Sequence, residues 1–122
     1  MKNILFHSVD FSLCYSFLML LEDKFRVTTS TNLDKIPKIA DSCKFEALII
    51  DAEPNKKVQN IILHIKKNNP DLQIIMTYVF SPKLNEYENN LRNVISAVFY
   101  KPYDLNEVAN KLNSIVESVP EQ

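Results

Sequence analysis

Glycine is absent from all 122 residues, where ordinary usage near 7% would supply about nine. Motifs whose backbone must close on a phosphate through glycine, the dinucleotide-binding and P-loop fingerprints among them, are therefore excluded. Helix C-terminal turns must do without the residue that takes positive φ most readily, and Asn32, Asn68, Asn69, Asn89 and Asn90 stand where the next-best residue would serve. Charge of one sign is also lacking: 14 Lys and Arg against 15 Asp and Glu leave a net charge of −1. Nucleic-acid binding needs a clustered excess of Lys and Arg, so no nucleic-acid partner is expected. No apolar run approaches the roughly 20 residues of a membrane span, and no membrane partner is expected either. The opening segment Met1–Asp10 turns polar too early for a signal peptide. The two cysteines, Cys14 and Cys43, make no metal or redox spacing and read as reduced thiols of a cytoplasmic protein.

What remains is an ordinary globular composition, 46% hydrophobic and 24% charged. The length suits one domain, large enough to bury about two-thirds of its unfolded surface. Residues 1–118 read as that domain and 119–122 as a tail or the start of a linker. Short apolar or β-branched runs alternate with helical periodicity along the chain. Strands are expected at Lys2–Val9, Phe25–Thr29, Phe45–Asp51, Leu72–Tyr78 and Ala97–Tyr100. Between them the apolar sets Leu13/Phe17/Leu21, Leu33/Ile36/Ala40, Val58/Ile62/Ile65 and Leu84/Leu91/Val94 mark four helices, and Leu105/Val108/Leu112 a fifth. Ser81-Pro82 reads as a helix start, and Asp104 to Glu107 as a capping box. Five strands alternating with five helices predict an α/β fold, one parallel sheet with helices on both faces.

Ligands of open α/β sheets bind beyond the carboxyl ends of the strands. The polar residues that end strands are therefore the candidates: Ser8 and Asp10, Asp51, Thr77 and Tyr78, and Lys101. Taken alone, Asp51 could be a helix or loop cap, Lys101 a surface charge and Glu53 a solvated loop acid. His7 and His64 have no third ligand spaced to help them hold a metal. Tyr78, Tyr100 and Tyr103 gather around the ends of strands four and five, either as core caps or as a binding surface.

Three segments carry a resemblance: Ala47–Asp51, Asn69–Met76 and Lys101–Leu105. In order and spacing they resemble the response-regulator receiver domain, the CheY-like phosphoacceptor module of two-component signalling, over residues 2–117. The resemblance implies strand order 2-1-3-4-5, Asp51 as the phosphoacceptor, Lys101 as the phosphoryl contact and a cis Lys101–Pro102 bond. It also implies Mg²⁺ held by two adjacent acids at the end of strand one. That pair falls on Ser8 and Val9 or, shifted by one, on Val9 and Asp10, and at least one acid is missing in either register. Asp10, Asp51 and Glu53 are left as metal candidates, with Mg²⁺ binding expected to be weak or absent and no other cofactor. The family's strand-four hydroxyl falls on Tyr78, with Thr77 one step early, and both are candidate phosphate contacts. Its switch aromatic falls on Val98, with Tyr78 the other switch-position equivalent.

The expected function is thus a pseudo-receiver: a non-enzymatic signalling module that acts by protein–protein contact. Its partner would be a histidine kinase or an output protein. Tyr103 and the outward positions of 82–92 and 104–116 are the candidate contacts, and a homodimer could form through the same helix 4–strand 5–helix 5 face. Two alternatives stand beside it. One is a conventional receiver phosphorylated on Asp51 by a histidine kinase, rescued by Asp10, Glu53 and Thr77. The other is a small flavodoxin-like enzyme or cofactor binder, against which the missing glycines count.

Overall fold

Every residue of the strand Ala47–Asp51 is buried, as happens where helices cover both faces of a parallel sheet. In chain order the elements are β1 (Lys2–Ser8), α1 (Phe11–Leu21), β2 (Phe25–Ser30), α2 (Ile36–Ser42), β3 (Ala47–Asp51), α3 (Lys56–Asn68), β4 (Gln73–Tyr78), α4 (Asn85–Leu91), β5 (Ala97–Tyr100) and α5 (Leu105–Glu117). Turns of 3-10 helix at Leu33–Lys35 and Pro82–Leu84 lead into α2 and α4. The computed structural model describes residues 1–117, so the expected tail 119–122 lies outside the described residues. All strand pairs are parallel and the order is β2-β1-β3-β4-β5, the architecture the sequence predicts.

Alternation along each strand sends neighbouring residues to opposite faces. Leu5, Leu48, Ile50, Ile74 and Met76 pack with Ile36 and Ala40 of α2, Ile62 and Ile65 of α3, and Leu91 of α4. Ile4, Phe6, Ala47, Ile49 and Ile75 pack on the other side with Phe17 and Leu21 of α1 and Val108 and Leu112 of α5. Each such Leu, Ile, Val, Phe or Met side chain contributes roughly 1.5–3 kcal/mol of burial, so the two layers together clamp the sheet and hold its carboxyl edge in register.

The helix ends differ from expectation. Among the described residues none has positive φ. A left-handed turn at a non-glycine residue costs about 1–2 kcal/mol, and the chain leaves its helices otherwise. Glu22 after α1 and Arg92 after α4 keep right-handed geometry at φ −62° and −53°, while Cys43 after α2 is extended. Asn69 follows α3 at φ −134° and works through its side chain, whose Nδ2 donates to the carbonyl of Ile65 and to Asp41. Asn32 likewise accepts from the N–H of Asp34. Ser81 stands at the start of the turn before α4 but makes no side-chain cap bond.

Candidate functional site

The register places Ser8 opposite Asp51 and Asp51 opposite Thr77. Three adjacent strands therefore end on one level, with all three side chains on the α1/α5 face. Lys101 arrives from just past β5, its N–H donating to the carbonyl of Tyr78 at 2.9 Å, and the Lys101–Pro102 bond is cis. The Asp51 carboxylate is the centre of the group. Its Oδ2 accepts from the Ser8 hydroxyl at 2.6 Å. Its Oδ1 accepts from the Thr77 hydroxyl at 2.7 Å and pairs with the Lys101 ammonium at 2.9 Å. Ser8 is itself oriented, because its oxygen accepts the Asp10 N–H at 3.0 Å. Burial pushes the Asp51 carboxyl up, but the bonds from Ser8, Lys101 and Thr77 and the charge of Lys101 outweigh it. The carboxyl ends below its ordinary value and stays ionised.

Ser8 is the β1 residue level with Asp51, and the Asp10 carboxylate is turned to α1. Its Oδ1 accepts from the N–H groups of Ser12 and Leu13 at 2.9 and 3.2 Å, which makes it the N-cap of α1. Val9 is 78% exposed at the rim. Together with Asp51, Thr77, Tyr78, Val79, Lys101 and the exposed Glu53, it lines an open cleft of about 260 Å³. Among the described residues no group of three or more His, Cys, Asp and Glu is placed to hold a metal ion.

The strand-four hydroxyl that bonds Asp51 is Thr77, while Tyr78 lines the same cleft but sends its ring to the opposite face. A one-residue step along a strand reverses the face, and the Tyr78 ring packs in the α2/α3/α4 layer. Burial, with Glu88 acting in the same direction, pushes its hydroxyl pKa up. The three tyrosines do not gather. Tyr78 and Tyr100 meet edge to face at 5.5 Å, whereas Tyr103 packs on Phe99 on the other side of the sheet. The Tyr103 hydroxyl is buried without a hydrogen-bond partner, and burial, helped by the Asp51 charge, raises its pKa. Tyr103 is thus half-buried and lines an open groove with Asp10, Leu13, Lys101, Pro102 and Leu105. Val98 lies half-buried against the α2/α3/α4 layer, in a groove with Glu88, Arg92 and Ile95.

Two features escape a reading of the sequence. The Ser8 hydroxyl as a donor to Asp51 shows only once the strand register is known. Phe80, 52% exposed beyond β4, forms an aromatic edge with Tyr100, the rings meeting at 5.2 Å, and Val79 beside it is 64% exposed. Tyr100 in turn hydrogen-bonds Glu88 of α4.

No protein-family model and no curated protein matches the sequence. Solved structures do. A CheY-like response-regulator receiver domain protein from Methanospirillum hungatei superposes with a TM-score of 0.84 at 17% identity, over 97% of this chain and 95% of that one. The fold is that of response-regulator receiver domains. A two-component response regulator from Clostridium difficile matches at TM-score 0.82 and 15% identity, over 99% and 100% of the two chains. A putative pilus assembly protein from Burkholderia thailandensis matches at 0.78 and 21%, over 96% and 99%. The receiver fold is thus shared with a protein described by a role in pilus assembly.

Proposed function

We propose that this chain is a receiver-like module of two-component signalling that acts through protein–protein contact and holds one conformation without phosphotransfer. The observation that carries the reading is that the β1 residue level with Asp51 is a hydroxyl, Ser8, and not an acid, while Lys101 already balances the Asp51 charge. An attacking carboxylate needs a free lone pair aimed at phosphorus. Three contacts leave one of the four lone-pair sites of the Asp51 carboxylate open, and the bonds from Ser8, Thr77 and Lys101 lower its nucleophilicity by stabilising its charge.

Mg²⁺, the ion the receiver resemblance implies, demands near-octahedral oxygen ligands and usually more than one carboxylate. The residues present do not fit it. Ser8 and Val9 stand in place of the acidic pair, Asp10 is committed to the α1 cap, and Asp51 is balanced by Lys101. Only exposed Glu53 remains at the cleft rim. The domain spans residues 1–118, is not an enzyme, resides in the cytoplasm, and takes a histidine kinase or an output protein as partner. The contacts on the α4–β5 side are Val79, Phe80 and Tyr100, since aromatic anchors tend to dominate binding energy.

A conventional receiver is the second reading, favoured by Thr77 and Lys101 standing within hydrogen-bond distance of Asp51. Intact-mass analysis after incubation with Mg²⁺ and a small phosphodonor separates the two. No mass gain is expected. A phosphoryl-sized gain on the wild type that vanishes in Asp51→Asn would establish the conventional receiver instead.

A further inference from the structure

The outer face of α1 carries no charge where a surface helix ordinarily does: its only polar residues are Ser12 and Ser16, whose hydroxyl donates to the Ser12 carbonyl. Phe11, Tyr15 and Met19 follow one another at four-residue spacing and are 74%, 57% and 50% exposed. Val9, at 78%, extends the patch at one end, while Leu20, at 39%, lies on the far flank of the helix beyond Ser16. Between Phe11 and Leu21 the helix carries no acidic and no basic residue. Most surface helices place charged or polar residues there.

We infer that this face is a self-association surface that seats a second copy of the same face across a twofold axis. Size is the first argument. Val9, Phe11, Tyr15 and Met19 expose on the order of 450 Å² of apolar surface, toward the upper end of what a monomer shows in one patch. A standard interface buries about 800 Å² per partner, of which about 60% is apolar, or roughly 480 Å². The patch is therefore about as large as the apolar part of a stable dimer interface.

Charge is the second argument. In an isologous contact each group meets copies of its own surface, so charge on the face would repel its equivalent. A face with no charge is free of that penalty, whereas a partner recognised by complementary charge would find nothing to pair with. The same absence speaks against a lipid surface, since interfacial helices carry Lys and Arg on their polar side. Four-residue ridges interdigitate readily, and Tyr15, the middle residue of the row, falls at the axis.

The surface is distinct from the Phe80–Tyr100 edge, which makes the test specific. Sedimentation velocity over a micromolar concentration series should show a monomer–dimer equilibrium for the wild type. Tyr15→Lys, which sets two ammonium groups together at the axis, should raise the dissociation constant about tenfold or more. Phe80→Lys should leave it unchanged. Should Tyr15→Lys misfold by circular dichroism, Tyr15→Cys in a Cys43→Ser background decides. Copper-phenanthroline oxidation should then give a disulfide-linked dimer. A wild type that stays monomeric throughout the series, a dimer dispersed by Phe80→Lys but not by Tyr15→Lys, or a Tyr15→Cys protein that does not cross-link would each overturn the inference.

Discussion

Burial alone would favour a protonated Asp51, and three donors reverse that preference. Each donor should therefore carry measurable stability. Ser8→Ala is expected to cost about 1–2 kcal/mol in denaturant unfolding, the loss of one bond to a charged acceptor. Lys101→Met should cost more, about 2–3 kcal/mol. That lies below the 3–5 of a wholly buried pair because the Lys101 side chain is 36% exposed against 7% for Asp51. An unchanged midpoint in both variants would mean that the network contributes nothing. The acid side gives a second check. Because the folded carboxyl lies below its ordinary value, its contribution is fully present above the unfolded value near 3.8. It is lost as pH falls through the lower folded one. The stability advantage of wild type over Asp51→Asn should thus be constant from pH 7 to pH 5 and shrink on further acidification. An advantage that grows toward low pH would contradict the sign.

At the scale of elements, strand parity decides what a sequence can reveal. The unbroken run of β3 and its terminal acid are plain in the residues, and so is Lys101-Pro102 after β5. A single step between Thr77 and Tyr78 is not, because both carry hydroxyls and only the pairing of Asp51 with Thr77 tells which shares its face. Asp10 misleads for a related reason: a helix cap and a metal ligand are the same residue type after a strand, and the distance to Ser12 N–H separates them. Tyr103 looked like a surface aromatic because α5 begins two residues later, yet its ring turns inward onto Phe99. Parity also buries His7 on the face opposite Ser8, with Nδ1 unpartnered. Burial holds its pKa below 6.5 against the opposing pull of the Ser30 backbone and the Asp51 charge. The unfolded chain then binds a proton that the folded one refuses. Stability is full above pH 6.5 and falls as pH drops toward the lowered folded value. Thermal melts at pH 7.5 and 5.5 should show this drop in the wild type and a smaller one in His7→Phe. Equal drops would remove His7 from the explanation.

Across the whole molecule, the two apolar layers clamp the sheet from both sides, and nothing at the site asks them to move. Val98 has no hydroxyl to carry between buried and exposed positions, and Tyr78 is fixed in the α2/α3/α4 layer. A ligand shifts an equilibrium only by its differential affinity for two states. With the Asp51 charge balanced by Lys101 and a hydroxyl, Ser8, level with it on β1, a phosphoryl group and its metal ion would have little purchase on either state. The most direct measurement is the backbone amide spectrum with and without Mg²⁺ and beryllofluoride, a mimic of the phosphoryl group. One unchanged set of resonances across β4, α4 and β5, in wild type and Asp51→Asn alike, is the expected result. Shifts that begin at Thr77 and Lys101, spread to Val98 and Tyr100, and disappear in Asp51→Asn would show a working phosphorylation switch and contradict it.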